Sequence, residues 1–233
     1  MISKSLLFMS ESSVAENYLK IYNRVKELNP NATLVAVSKT KPIEMLQEAF
    51  NSGCRTFGEN YVDEIVTKGP LLPEAKFHMI GHLQSNKVNK VCSIPNLGMI
   101  ETIDSDHLAN KVNNGWKFEQ PLPVMIQVNT SDEPQKNGVQ VGEALTNLAQ
   151  HIINNCPKLK FTGLMTIGEI GESHRDFETL KNARDNLAAE LKVDSASLKL
   201  SMGMSADYEL ALQMGSDYVR VGSSIFGARQ YKH

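Results

Sequence analysis

The sequence predicts a closed (β/α)8 barrel with one extra N-terminal helix, and three observations lead there. Eight short strand-like runs alternate with segments able to form helices. No linker or shift of composition divides the 233 residues. No strand is followed by the G-x-G-x-x-G turn that would favour the rival, an open doubly wound sheet. A chain of this length buries a sizeable core without help from metals or disulfides. The expected division is an N-terminal extension and helix, residues 1–32, packed on a barrel of residues 33–233.

The helix comes first. Val14, Tyr18, Ile21, Val25 and Leu28 recur at helical spacing, Ser13 and Glu16 stand in capping-box relation, and Asn29-Pro30 ends the run. Thr33 to Lys39 reads as the first strand. Pro42 then opens a helix carrying Ile43, Leu46 and Phe50 that closes at Gly53. Further strands are expected at about Arg55 to Glu59, Phe77 to Gly81, Met99 to Asp104, Pro123 to Asn129, Phe161 to Ile167, Leu198 to Met202 and Tyr218 to Gly222. Between them, Phe177, Leu180, Ala183, Leu187 and Leu191 make a clear helical stripe, whereas Gln84 to Cys92 is short and polar.

Composition excludes several functional classes. Twenty-four Lys and Arg stand against 26 Asp and Glu, with no run of like charge, so nothing marks a nucleic-acid or anionic-membrane surface. Cys54, Cys92 and Cys156 are odd in number and unpatterned, which suggests neither a disulfide framework nor a zinc site and fits a reducing compartment. The apolar run near the N-terminus is too short for a secretory signal, and the first 23 residues lack the Arg of a mitochondrial presequence. A cytoplasmic protein is expected.

In a barrel the chemistry collects where the strands end. After the seventh and eighth strands stand Ser201-Met202-Gly203-Met204-Ser205 and Arg220-Val221-Gly222-Ser223-Ser224, where barrels often hold a phosphate on the start of a short helix. Each motif alone also reads as an ordinary cap or turn, with Ser205 starting a helix that ends at Gly215. Asp207 must then point away from any anion. At the end of the first strand, Lys39 shares the parity of Val35 and Val37 and so faces the mouth; a strand-end lysine snorkelling into water is the alternative. Burial favours the neutral amine, the form that attacks a carbonyl. Lys41, just before Pro42, is expected in solvent.

Closure puts the first strand beside the eighth, so Lys39 and the anion cradle lie roughly 5–10 Å apart. A small molecule with an aldehyde at one end and a phosphate at the other, such as pyridoxal 5′-phosphate, bridges that distance. Arg220 would reach its ring nitrogen as a donor only, weakening the ring as an electron sink. Other polar residues carry plainer readings: His78 as a strand residue with a satisfied ring, His82 as a loop residue, and Asp104 and Asp106 as helix caps.

The segments VAVSKTKP (35 to 42), FGENYVDE (57 to 64), FHMIGHLQSNK (77 to 87), ETIDS (101 to 105), NTSDEPQKNGV (129 to 139), GLMTIG (163 to 168) and LSMGMSADYELALQMGSDYVRVGSSIFGAR (200 to 229) resemble the pyridoxal phosphate homeostasis protein family, also called proline synthase co-transcribed proteins. The resemblance implies a TIM barrel like the N-terminal domain of alanine racemase, a fold type III protein, holding pyridoxal 5′-phosphate as an internal aldimine on Lys39. It places phosphate contacts on Ser201, Met204 (through its backbone), Ser205, Gly222 and Ser223, the ring-nitrogen partner on Arg220, a further contact on Asn60, and a secondary lysine on Lys136.

It implies a vitamin B6 homeostasis protein, with supply of the compound to apoenzymes as a further expectation and no catalytic residue assigned. A racemase needs a second acid or base opposite Lys39. No second domain is expected to bring one, which leaves Tyr61, His82 or Asn129 as weak substitutes. A Schiff-base aldolase on a phosphosugar is a further alternative and would need Glu59 or Asp104 beside the lysine. A monomer is expected.

Overall fold

The computed structural model describes residues 12–131 and 133–228. Residues 1–11 of the expected N-terminal extension, and Asp132 and Arg229 of the motifs above, lie outside them. Eight parallel strands close in chain order: β1 (Thr33–Val37), β2 (Thr56–Glu59), β3 (Lys76–Met79), β4 (Leu97–Ile103), β5 (Leu122–Gln127), β6 (Leu159–Met165), β7 (Lys199–Ser201) and β8 (Tyr218–Val221). The closing pair is direct: Thr33 stands opposite Tyr218 and Val35 opposite Arg220. The helices are α1 (Val14–Leu28), α2 (Ile43–Asn51), α3 (Val62–Lys68), α4 (Val88–Val91), α5 (Asp106–Gly115), α6 (Glu143–Asn155), α7 (Ser173–Leu191), α8 (Tyr208–Gln213) and α9 (Ser223–Phe226).

Alternation along each strand divides the core in two. Leu34, Ala36, Phe57, Phe77, Ile126, Leu164, Val219 and Val221 pack outward under the helices. Inside, Met99, Met125 and Met165 pack together against Tyr218, flexible thioethers filling the taper of the barrel. The helix α1 presents Val14, Tyr18, Ile21 and Val25 to the barrel and packs on α2, α8 and α9. Its capping box is complete: the Ser13 hydroxyl accepts from the Glu16 N–H, and the Glu16 carboxylate accepts from the Ser13 N–H. Ser13→Ala should therefore cost about 1 kcal/mol, read as a lower urea midpoint at unchanged slope. An unmoved midpoint would mean that tertiary packing alone sets the entry of α1.

Several boundaries differ from expectation, each for a local reason. Strand β1 stops at Val37, not Lys39, because the Lys41 N–H bonds the Ser38 carbonyl and Thr40 turns into the left-handed region at φ 65°. Helix α8 begins at Tyr208, not Ser205. The Ser205 hydroxyl instead accepts from the Gly222 N–H at 3.2 Å, linking the two loops. At α5 the cap is Ser105, between the two aspartates, accepting from the Leu108 N–H.

Candidate functional site

A cavity of about 430 Å³ opens at the C-terminal mouth of the barrel, within the range of small-molecule sites. It is lined by Lys39 and Lys41 after β1, Asn60 after β2, Met204 and Ser205 after β7, and Arg220, Gly222 and Ser223 at the end of β8. Ile80, Met165 and Ile167 supply apolar surface. Seven of the residues singled out from the sequence thus share one cavity: Lys39, Asn60, Met204, Ser205, Arg220, Gly222 and Ser223. Ser201 and Lys136 do not line it.

Two glycines let the walls approach. At Gly222 a Cβ would lie 3.2 Å from both the Cβ and the carbonyl oxygen of Val37, so a side chain there would push the end of β1 away by a few tenths of an ångström. At Gly81 a Cβ would come within 2.5 Å of the Asn60 carbonyl oxygen, which keeps that corner tight. Beyond Gly222, α9 starts at Ser223; the Ile225 and Phe226 N–H groups bond the Gly222 carbonyl, and those of Ser223 and Ser224 lie ahead of these bonds. The Ser205 hydroxyl accepts from Gly222 and keeps its own proton for donation. Together these make a small anion cradle facing the lysine side of the cavity.

Asp207 does turn its carboxylate elsewhere, into the loop: it accepts from the Met204 N–H at 2.7 Å and from the Ser173 hydroxyl at 2.6 Å. The Met204 N–H is thereby committed, while its side chain lines the cavity. Lys41 differs from the expectation of full solvation. It lines the cavity, and its ammonium donates to the Ala228 carbonyl at 2.9 Å. Lys136 pairs with Glu133 at 3.4 Å and lines a neighbouring cavity of about 260 Å³ with Asn129, Thr130, Ser131 and Thr166.

Beneath the mouth, inward positions of six strands and their ends form one buried network. The Arg220 guanidinium donates to the Ser201 hydroxyl and the Thr166 carbonyl, both at 2.7 Å. The Ser201 hydroxyl donates to Glu101 Oε2 at 2.6 Å, and Glu101 Oε1 lies 2.8 Å from His78 Nδ1. Thr130 bonds the Thr166 hydroxyl, which donates to the Val128 carbonyl. Burial pushes the Glu101 carboxyl up, but the bond to and charge of His78, with Arg220 and Ser201, more than reverse this and hold it below the usual range. Burial draws the Arg220 guanidinium down, opposed by Glu101 and Asp207. With so high a starting value it stays a cation. Ser201 is thus the link that orients Arg220. Glu101 and Thr166 went unnoticed in the sequence, although alternation places Glu101 on the inward face with Met99.

A closed parallel barrel with an amine and an anion cradle across one mouth defines the class of the alanine racemase N-terminal domain, and that family model matches residues 9–230. The human pyridoxal phosphate homeostasis protein is 47% identical over 212 residues, covering 85% of this chain and 77% of the relative. The chain belongs to the pyridoxal phosphate homeostasis protein family. Among solved structures, PipY of Synechococcus elongatus with pyridoxal phosphate bound aligns with a TM-score of 0.73 at 29% identity, covering 92% of this chain and 100% of PipY. Alanine racemase from Bacillus anthracis shares the fold at 16% identity with a TM-score of 0.68, covering 92% of this chain and 57% of the racemase.

Proposed function

We propose that this protein holds pyridoxal 5′-phosphate reversibly at the barrel mouth, contributes to vitamin B6 homeostasis, and releases the compound to apoenzymes without committed turnover. One observation carries the reading: Lys39 and the Gly222-Ser223 helix start line the same cavity because β1 pairs with β8. The bound compound supplies an aldehyde carbon to which a lysine amine bonds with loss of water. Lys39 is the amine. The Ser205 and Ser223 hydroxyls and the N–H groups of Ser223 and Ser224 would receive the phosphate. Arg220, a donor only and held by Ser201 and Thr166, would serve as the partner of the ring nitrogen without protonating it.

Support for storage over catalysis comes from the residues that an enzyme would need. Tyr61 and His82 are exposed and line no part of this cavity, and the Asn129 side chain is engaged by the Glu133 carbonyl and Ser131. Glu59 points away from the mouth into a bond with Lys68, and Asp104 does not line the cavity. The pyridoxal phosphate named in the PipY structure supports the choice of compound. The buried, unpaired Cys54, Cys92 and Cys156 suit a reducing cytoplasmic setting.

The test is borohydride reduction of the loaded protein followed by peptide mass spectrometry. The label should fall on Lys39 and vanish from that peptide in Lys39→Ala. A cofactor-free aminotransferase should gain activity faster when mixed with the loaded protein than across a dialysis membrane. Label on another lysine would sink the site, and substrate-dependent α-proton exchange on amino acids would replace storage by catalysis.

A further inference from the structure

Resting on Lys39 as the anchoring amine, we infer that a cluster of Lys68 and Glu64 on α3 with Glu59 at the end of β2 positions Lys39 by fixing the residues on either side of it. The Lys68 ammonium is buried and uses its three donors on the Ser38 carbonyl at 2.8 Å, Glu59 Oε1 at 2.8 Å and Glu64 Oε1 at 3.0 Å. Ser38, just before Lys39, also donates its hydroxyl to Glu59 Oε1 at 2.6 Å. Thr40, just after, donates its N–H to Glu64 Oε1 at 2.7 Å. Both neighbours of the lysine are therefore bonded to one charge cluster on the outer side of the sheet.

The backbone explains why such a clamp is needed. Thr40 sits at φ 65°, a region that β-branched residues avoid, and surrounding bonds must hold it there. This left-handed residue reverses the chain after β1, so that Lys39 and Lys41 both reach the mouth. Released from Glu64, Thr40 can relax toward an extended conformation and swing Lys39 out of register with the anion cradle. If the competent turn is then populated only about a tenth of the time, apparent affinity falls about tenfold. Glu64, Glu59 and Lys68 are positioning residues, since none of them lines the cavity.

Two variants of the full chain test this, with two readouts. In Glu64→Ala the Thr40 N–H loses its acceptor, whereas in Glu64→Gln the amide oxygen still accepts it. Titration with pyridoxal 5′-phosphate should show about tenfold weaker binding for Glu64→Ala and near wild-type binding for Glu64→Gln. The second readout is the rate at which acetic anhydride acetylates Lys39 in cofactor-free protein, followed by peptide mass spectrometry. It should change in Glu64→Ala and return in Glu64→Gln, with all three proteins fully folded at the temperature of the assay. Wild-type affinity and Lys39 reactivity in Glu64→Ala, or equal losses in both variants, would overturn the inference. Borohydride label away from Lys39 in the wild type would instead remove the functional reading, and the acetylation rates would still decide whether the clamp sets Lys39.

Discussion

Glu101→Leu is expected to lower folding stability by about 3–5 kcal/mol at neutral pH, because it leaves Arg220 a buried cation with only neutral hydrogen-bond partners. Glu101 is fully buried, and its carboxylate accepts from the Ser201 hydroxyl while lying 4.0 Å from Arg220 Nη1. Its pH dependence follows from the sign of its shift. The folded protein holds this carboxyl below its ordinary value of 4.5, so its contribution is fully present above about that pH. The contribution is lost as the pH falls through the lower folded value. Urea unfolding of wild type and variant should therefore show a constant gap from pH 5 upward that narrows in stronger acid. The variant should also bind pyridoxal 5′-phosphate more weakly, since Ser201 would lose the acceptor that aims its oxygen at Arg220. A gap below about 1 kcal/mol would mean that the Thr166 carbonyl and Ser201 suffice to hold the guanidinium.

How much of this could be read from the sequence depends on range. The strands were legible because runs such as TLVAV and YVRV are compact and β-branched, and α1 because its stripe and capping box are local. Lys39 and the Gly222-Ser223 turn were legible for the same reason: strand, punctuation and polar end lie within a few residues. The network under Arg220 was not. Its members come from positions 78, 101, 130, 166, 201 and 220, and only the barrel's register brings them together. The start of α8 was misplaced because Ser205 and Asp207 both suit a cap, and the contact that decides between them, Ser205 to the Gly222 N–H, comes from the next strand. The turn after β1 carried no signal either, since Thr40 is the wrong residue type for a left-handed conformation. What forces it is Glu64 on α3, which as Glu64 and Lys68 reads like an ordinary solvent-facing helix pair.

That same pair gives the second large effect. Lys68→Met should cost about 3–5 kcal/mol above neutral pH, because it leaves the Glu59 carboxylate buried without its cation. Glu59 is already uneasy: burial pushes its carboxyl up to about 7, against the pull of Lys68 and the Ser38 hydroxyl, and Oε2 has no hydrogen-bond partner. A raised carboxyl contributes stability that is fully present below its unfolded value, about 4.5, and lost as the pH rises through the folded value, about 7. Removing Lys68 raises the folded value further, so the variant loses more on the same rise in pH. The gap between wild type and variant should thus open between pH 4.5 and 8, a window distinct from the acid one in which Glu101 titrates. Glu59→Gln added to Lys68→Met removes the stranded charge and should recover much of the loss at pH 8 while changing little at pH 4. Unfolding curves of the three proteins at these two pH values are decisive. An equal deficit at both, or no recovery in the double variant, would show that Lys68 stabilises through its stem and its Ser38 bond, and that the buried charge of Glu59 is not what the ammonium offsets.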